Sequence, residues 1–133
     1  MVKCKHVPEI LIQWQENTKT LIESEKALNT LMENPDLYSE EIAYMNDSIS
    51  TLTAEMDDDR DEVMRILNSL RFDIQASIYA RLHYFCALPW DEVARYVGNG
   101  SSTEGIRERV YRAFKNVNSE KAIRRIAQLS DEI

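Results

Sequence analysis

The stretch ALPWDEVARYVGNGSSTEGIRERVYRAFKNV, residues 87–117, decides the reading of this chain. Trp90, Val93, Ala94 and Val97 recur at helical spacing and predict a short amphipathic helix. Gly98-Asn99-Gly100 follows, a run that suits a turn and not a helix interior. A second helix then opens at a Ser/Thr cluster. Its apolar set, Ile106, Val110, Ala113, Phe114 and Val117, predicts an inward face. Two short helices across a glycine turn, the second one basic, read as a helix-turn-helix. Such a unit lays its second helix in the major groove of DNA.

The residues left for the other faces define the candidate DNA contacts: Ser101, Ser102, Thr103, Arg107, Arg109, Tyr111, Arg112 and Lys115. Ser102 or Thr103 is placed to cap the second helix, whose first backbone N–H groups can meet a phosphate. Arg107 suits a bidentate contact with guanine, and Arg109 and Thr103 are assigned to base edges as well. Arg112 and Lys115 are assigned to phosphate, and Tyr111 to phosphate or to packing. Glu104 and Glu108 either pair with Arg107 and Arg112 or accept from a cytosine amino group. The competing account is a bundle helix with a solvated charged face.

The 133 residues allow one or two small domains, and their 44% apolar and 29% charged content is that of an ordinary soluble globular protein. With three glycines and three prolines, breakers are scarce and the chain is expected to be all-α. The net charge of −7 argues against DNA binding until its distribution is considered. Residues 1–72 hold 7 Lys and Arg against 15 Asp and Glu, whereas residues 73–133 hold 9 against 8. Repulsion of a phosphate backbone therefore sits in the N-terminal half, and screening limits its reach to roughly 10 Å. No run of about 20 apolar residues is present to span a membrane, and the N-terminus has no continuous apolar run, so neither a span nor a secretory signal is expected. Cys4 and Cys86 form no disulfide framework, and a reducing cytoplasm is the expected compartment.

Upstream, Leu11, Trp14, Leu21, Leu28 and Met32 form a heptad-like stripe, widened by Ile10, Ile22 and Leu31, which predicts a helix from Pro8 to Met32. Asn34-Pro35-Asp36 breaks it. Tyr38, Ile42, Met45, Ile49, Leu52 and Met56 then recur with the alternating spacing of an a/d heptad. Together they predict an antiparallel helical hairpin with coiled-coil packing, either a plain bundle face or a surface for a homodimer. The run Asp57–Glu62 is read as a solvated hinge or helix start, since adjacent helical carboxylates diverge and miss the spacing of a calcium loop. The expected division is therefore 1–60, a hairpin for oligomerisation or partner docking, and 61–133, the DNA-binding part. In the second part Val63, Ile66, Leu67 and Leu70 make an apolar face. Asp73 caps a helix from Ile74 to Cys86 whose apolar set is Ile74, Ile78, Leu82 and Phe85. A last helix follows Asn118, with Ile123, Ile126 and Leu129 on one face.

Cys4, His6, His83 and Cys86 invite a zinc reading, but the first two have to fold back onto the others; a buried cysteine and a polar-edge histidine account for the pair more simply. No metal or other cofactor is expected. No phosphate-cradling glycine loop, nucleophile elbow or paired-acid motif is present, so an enzyme is not expected.

The stretch from Ile74 to Val117 resembles region 4 of sigma-70-type RNA polymerase sigma factors, and small phage regulators of the ArpU and RinA type. Tyr84-Phe85 ends a supporting helix, Leu88-Pro89-Trp90-Asp91-Glu92-Val93-Ala94 supplies the first motif helix and Gly98 closes it. Thr103-Glu104-Gly105-Ile106-Arg107 opens the second, and Ala113-Phe114-Lys115 ends it. The resemblance covers about a third of the chain. The turn Gly98–Ser102 is longer than the family's usual link, and the promoter-melting region of a sigma factor is not evident. The resemblance implies a sequence-specific transcription regulator of phage or prophage type, acting on double-stranded DNA in a bacterial host cell, with RNA polymerase as a further partner. Two other readings stay open: a phage terminase small subunit, which also pairs such a motif with oligomerising helices, and a protein-interaction module that binds no DNA.

Overall fold

Pro8 holds an extended backbone (φ −60°, ψ 139°) immediately before the first helix, α1, Glu9–Leu31. A proline before the first turn loses nothing, because its missing N–H has no partner there in any helix. The computed structural model describes residues 6–117; the expected last helix after Asn118, and Cys4 of the zinc reading, lie outside the described residues. Among the described residues every regular element is helical, and no helix is long and apolar enough to cross a membrane.

The second helix, α2, Ser39–Asn68, packs along α1. The heptad positions account for the contact: Leu11, Trp14 and Met56 are buried, and Leu21, Leu28, Ile42, Met45, Ile49 and Leu52 are half-buried. Met32 and Ile22, expected on the stripe, are exposed, and Leu31 takes the inward place instead. No residue between Glu16 and Glu55 is fully buried. The outer part of this pair is thus a two-helix arm with a thin seam, and the core lies at its base.

The hinge or helix start expected at Asp57–Glu62 is absent, because α2 runs through those residues without a break. The division expected near residue 60 therefore falls inside a continuous helix. The cause is register. Leu52, Met56, Asp59, Val63, Ile66 and Leu70 keep the 4-3-4-3-4 spacing, so the aspartates interrupt the composition of the stripe and not its period. Asp59 is half-buried in the seam, while Asp57, Asp58 and Asp61 are exposed.

The third helix, α3, Ile74–Ala80, begins at Asp73, whose carboxylate accepts from the Ala76 N–H at 3.2 Å. It continues as a wider π-type segment, Arg81–Phe85, with the Cys86 N–H donating to the Arg81 carbonyl at 3.0 Å. Ile74 and Ile78, expected in the core, are 69% and 45% exposed. The buried face of α3 is Ala76, Ser77, Tyr79 and Ala80. Small side chains let α3 approach α2 and α5 closely, and the Ser77 hydroxyl is satisfied by the Leu67 carbonyl at 3.4 Å. Cys86 is exposed, contrary to the buried cysteine expected.

Ala87 adopts φ 61°, a left-handed conformation that reverses the chain after the π-type segment. Leu88-Pro89 then leads into α4, Trp90–Val97, and a five-residue turn joins α4 to α5, Thr103–Val117. Val93 on α4 and Ile106, Val110, Ala113 and Phe114 on α5 are at most 2% exposed. They close one core with Val63, Leu67 and Leu70 of α2 and Leu11 of α1.

Candidate nucleic-acid interface

The turn between α4 and α5 is built by its small and amide residues. Gly98 ends α4 at φ +58°, and its N–H donates to the Ala94 carbonyl at 3.2 Å. Asn99 braces the turn from both ends of its side chain: Oδ1 accepts from the Ser101 N–H at 3.0 Å, and Nδ2 donates to the Tyr79 hydroxyl at 2.8 Å. The longer link is therefore tied down onto α3. Ser102 caps α5, its hydroxyl accepting from the Gly105 N–H at 3.0 Å. A methyl group at Gly105 would lie 3.0 Å from that oxygen, so glycine leaves room for the cap.

At about 100° per residue, the buried set of α5 fixes where every other side chain points. Glu104, Glu108, Arg112 and Lys115 share the side opposite the core, and all are exposed. Arg107 and Arg109 fall on opposite edges. Arg107, toward α4, lies 3.4 Å from Glu104. Arg109, toward α3, is held by Asp73: Nε donates to Oδ2 and Nη2 to Oδ1, both at 3.0 Å. The partial burial of Asp73 works to raise its carboxyl pKa, but the Arg109 fork and the Ala76 and Gln75 N–H groups outweigh it and hold the group below its ordinary value. The same pair raises the Arg109 guanidinium, which stays charged throughout.

Ser101, Ser102, Gly105 and Arg109 line a shallow cleft with Tyr79 and Ile106. Thr103 is half-buried at the helix start. Tyr111 is half-buried with its ring edge-on to Trp90, centroids 6.2 Å apart. The structure thus gathers Ser101, Ser102 and Arg109 at one place, sets Arg112 and Lys115 on the outer face, and leaves Arg107 and Tyr111 on the α4 side. Asp73, Tyr79 and Asn99, which shape the cleft, are not among the candidate contacts read from the sequence; Asp73 carries an N-cap signal and Asn99 a turn signal, whereas nothing local marks Tyr79.

An aromatic cluster carries this assembly on the arm. His83 stacks on Trp90 with centroids 3.7 Å apart, and Tyr84 meets Phe114 edge-on at 6.0 Å. Trp14 of α1 stacks on Phe85 at 5.2 Å and donates its indole N–H to the Phe85 carbonyl at 3.2 Å. Gln15 donates to the His83 carbonyl at 2.9 Å, and its Nε2 lies 3.0 Å from His83 Nε2. A π-type segment frees carbonyls from the ordinary helical ladder, and α1 satisfies two of them. His83 Nδ1 lies 2.7 Å from the Leu88 carbonyl. A carbonyl only accepts, so the proton is on Nδ1, and Nε2 is left to accept from Gln15. Burial pushes the His83 pKa down to about 4, so the ring is neutral at pH 7. Both ring nitrogens are committed, and no group of three His, Cys, Asp or Glu side chains among the described residues converges on a metal position.

Comparisons with protein-family models, with curated proteins and with solved structures gave no match to this chain.

Proposed function

We propose that α4, the Gly98–Ser102 turn and α5 form a helix-turn-helix that binds duplex DNA, and that the chain is a sequence-specific transcription regulator of the phage or prophage type. The observation that carries this reading is the two-sidedness of α5. Its apolar face is locked in the core, its N-terminus is capped, and Arg112 and Lys115 stand exposed on the other side. In this reading Thr103 and Arg107 reach base edges while Arg112, Lys115 and the cleft at Ser101 and Ser102 meet phosphate. Arg109 reaches a base only if it leaves Asp73; paired, it orients α5. The α1–α2 arm forms an antiparallel hairpin that dimerises the protein or docks a polymerase subunit.

Selection of bound duplexes from a random pool, followed by titration of the enriched site at several salt concentrations, tests the reading. A single enriched motif, with affinity falling linearly in log–log against salt, is expected. Recovery of no motif, together with salt-independent retention, ends it.

One observation favours a second reading. Glu104 and Glu108 share the outer face of α5 with the two bases, so that face carries no net charge. A surface of this kind, with the acidic arm, suits a protein-interaction module, and that reading predicts no salt-dependent retention on DNA.

A further inference from the structure

The corner between α2 and α3 is apolar, exposed and basic. Phe72 is 52% exposed, and Ile74 and Ile78, one helical turn apart, stand beside it at 69% and 45%. Arg71 and Arg81 are the bases there; Arg65 is paired with Glu62, and the acid Asp73 is already occupied by Arg109. Exposed apolar side chains grouped within seven residues and rimmed by charge are the kind of surface on which partners dock.

The far end of the arm has the opposite character. From residue 27 to residue 59 there is no lysine or arginine, and Glu33, Asp36, Glu40, Glu41 and Asp47 cluster around the α1–α2 connection. Leu31, Tyr44 and Met45 floor an open notch there, with Glu40 and Glu41 at its rim. Tyr44 and Leu37 are 72% and 71% exposed. An apolar floor with a carboxylate rim complements an apolar knob with arginines beside it in polarity and in sign of charge.

We propose that the notch at the tip of the arm receives the Phe72 corner of a second copy of this chain. The chain's own corner cannot be the occupant. The 30 residues of α2 separate the tip from the corner, and a helix of that length is about 45 Å long. Each copy therefore offers a notch at one end and a knob at the other. Such a contact is head-to-tail, and it propagates into a ring or an open chain instead of stopping at a two-fold dimer. The surfaces are small, so assembly rises with concentration; the charges are exposed, so it weakens with salt. The inference stands on charge and exposure at these two places and does not depend on DNA binding.

The test is the mass of the full chain in solution, measured by sedimentation with CD as the check on folding. The parent is expected to exceed the chain mass of 15.5 kDa as concentration rises and to return toward it in high salt. Phe72→Asp removes the knob, with Ile78→Asp as a second knob variant, and Glu40→Arg with Glu41→Arg inverts the notch. All four positions are exposed, none belongs to the buried core, and each folded variant alone is expected to remain at 15.5 kDa. A mixture of a knob variant with the notch variant retains one good contact and is expected to form a species of twice the chain mass and nothing larger. A parent that stays at the chain mass at every concentration overturns the proposal. So does self-association that survives in either variant, or a mixture in which the variants ignore each other.

Discussion

Arg109 closes on Asp73 through both arms of its fork, across a separation of 36 residues, and so ties the start of α3 to the middle of α5. Asp73 spends the same carboxylate on capping α3. Asp73→Ala removes both interactions. The lost cap costs about 1 kcal/mol, and the half-exposed ion pair, screened by solvent, adds at most about 1 kcal/mol. Asp73→Asn keeps a capping oxygen and loses only the charge, so it is expected to cost less. Urea unfolding of the three proteins checks the order; equal stability of parent and Asp73→Ala would contradict it.

The same carboxylate gives stability a pH dependence. Its folded pKa lies below its ordinary value, so in acid the unfolded chain binds the proton first. The pair's contribution is complete above the ordinary value of 3.8 and is lost as pH falls below it. Asp73→Asn is expected to flatten the stability profile in that acid window and leave it unchanged above pH 5.

His83 acts in a different window. Its folded pKa is about 4 and its ordinary value 6.5, so between these the unfolded chain takes up a proton that the folded ring refuses. Stability therefore falls as pH drops through this range, by up to about 1.4 kcal/mol per pH unit. His83→Phe keeps a ring against Trp90 and is expected to remove this part of the slope, at the cost of the Leu88 and Gln15 hydrogen bonds. Nitrogen NMR of the parent at pH 7 is expected to find the ring neutral with its proton on Nδ1.

On the DNA reading, Arg112→Ala with Lys115→Ala removes two phosphate contacts and no core packing. Each contact contributes about 0.9 to the slope of log affinity against log salt. The double variant is thus expected to lower that slope by roughly 2 and to weaken all sequences alike. Arg107→Ala is expected to cost on the order of 1–3 kcal/mol and to relax base preference. An Arg107→Ala protein that discriminates as the parent does removes Arg107 from base readout.

Gly98 is needed for its backbone, not for space. A methyl group there meets only the Arg95 carbonyl, at 4.0 Å, but the residue sits at φ +58°. Gly98→Ala is expected to cost on the order of 1–2 kcal/mol in thermal or urea unfolding. A variant as stable as the parent would show that the turn relaxes into another conformation.

What the sequence disclosed follows from where period alone is decisive. The a/d spacing from Tyr38 to Met56, the inward set of α5 and the cap at Asp73 are local signals, and each matches the observed packing. The inward face of α3 was misread because hydrophobicity ranks Ile74 and Ile78 above Ala76 and Ala80. Close packing between α2 and α5 selects for small side chains instead, and that is a property of the neighbours. Asp57–Glu62 was misread for the converse reason, composition being weighed above register. The Arg109–Asp73 pair and the hold of Trp14 and Gln15 on the π-type segment join residues far apart in sequence, which no local pattern can disclose.

The uninterrupted course of α2 also governs how the molecule moves through water. A compact chain of this length has a radius of gyration of about 14 Å, whereas α2 by itself extends for about 45 Å. Friction on so elongated a body exceeds that on a sphere of equal weight. A lone copy will elute early from a sizing column and tumble slowly in fluorescence anisotropy, so light scattering, which is blind to outline, is the safer way to count copies.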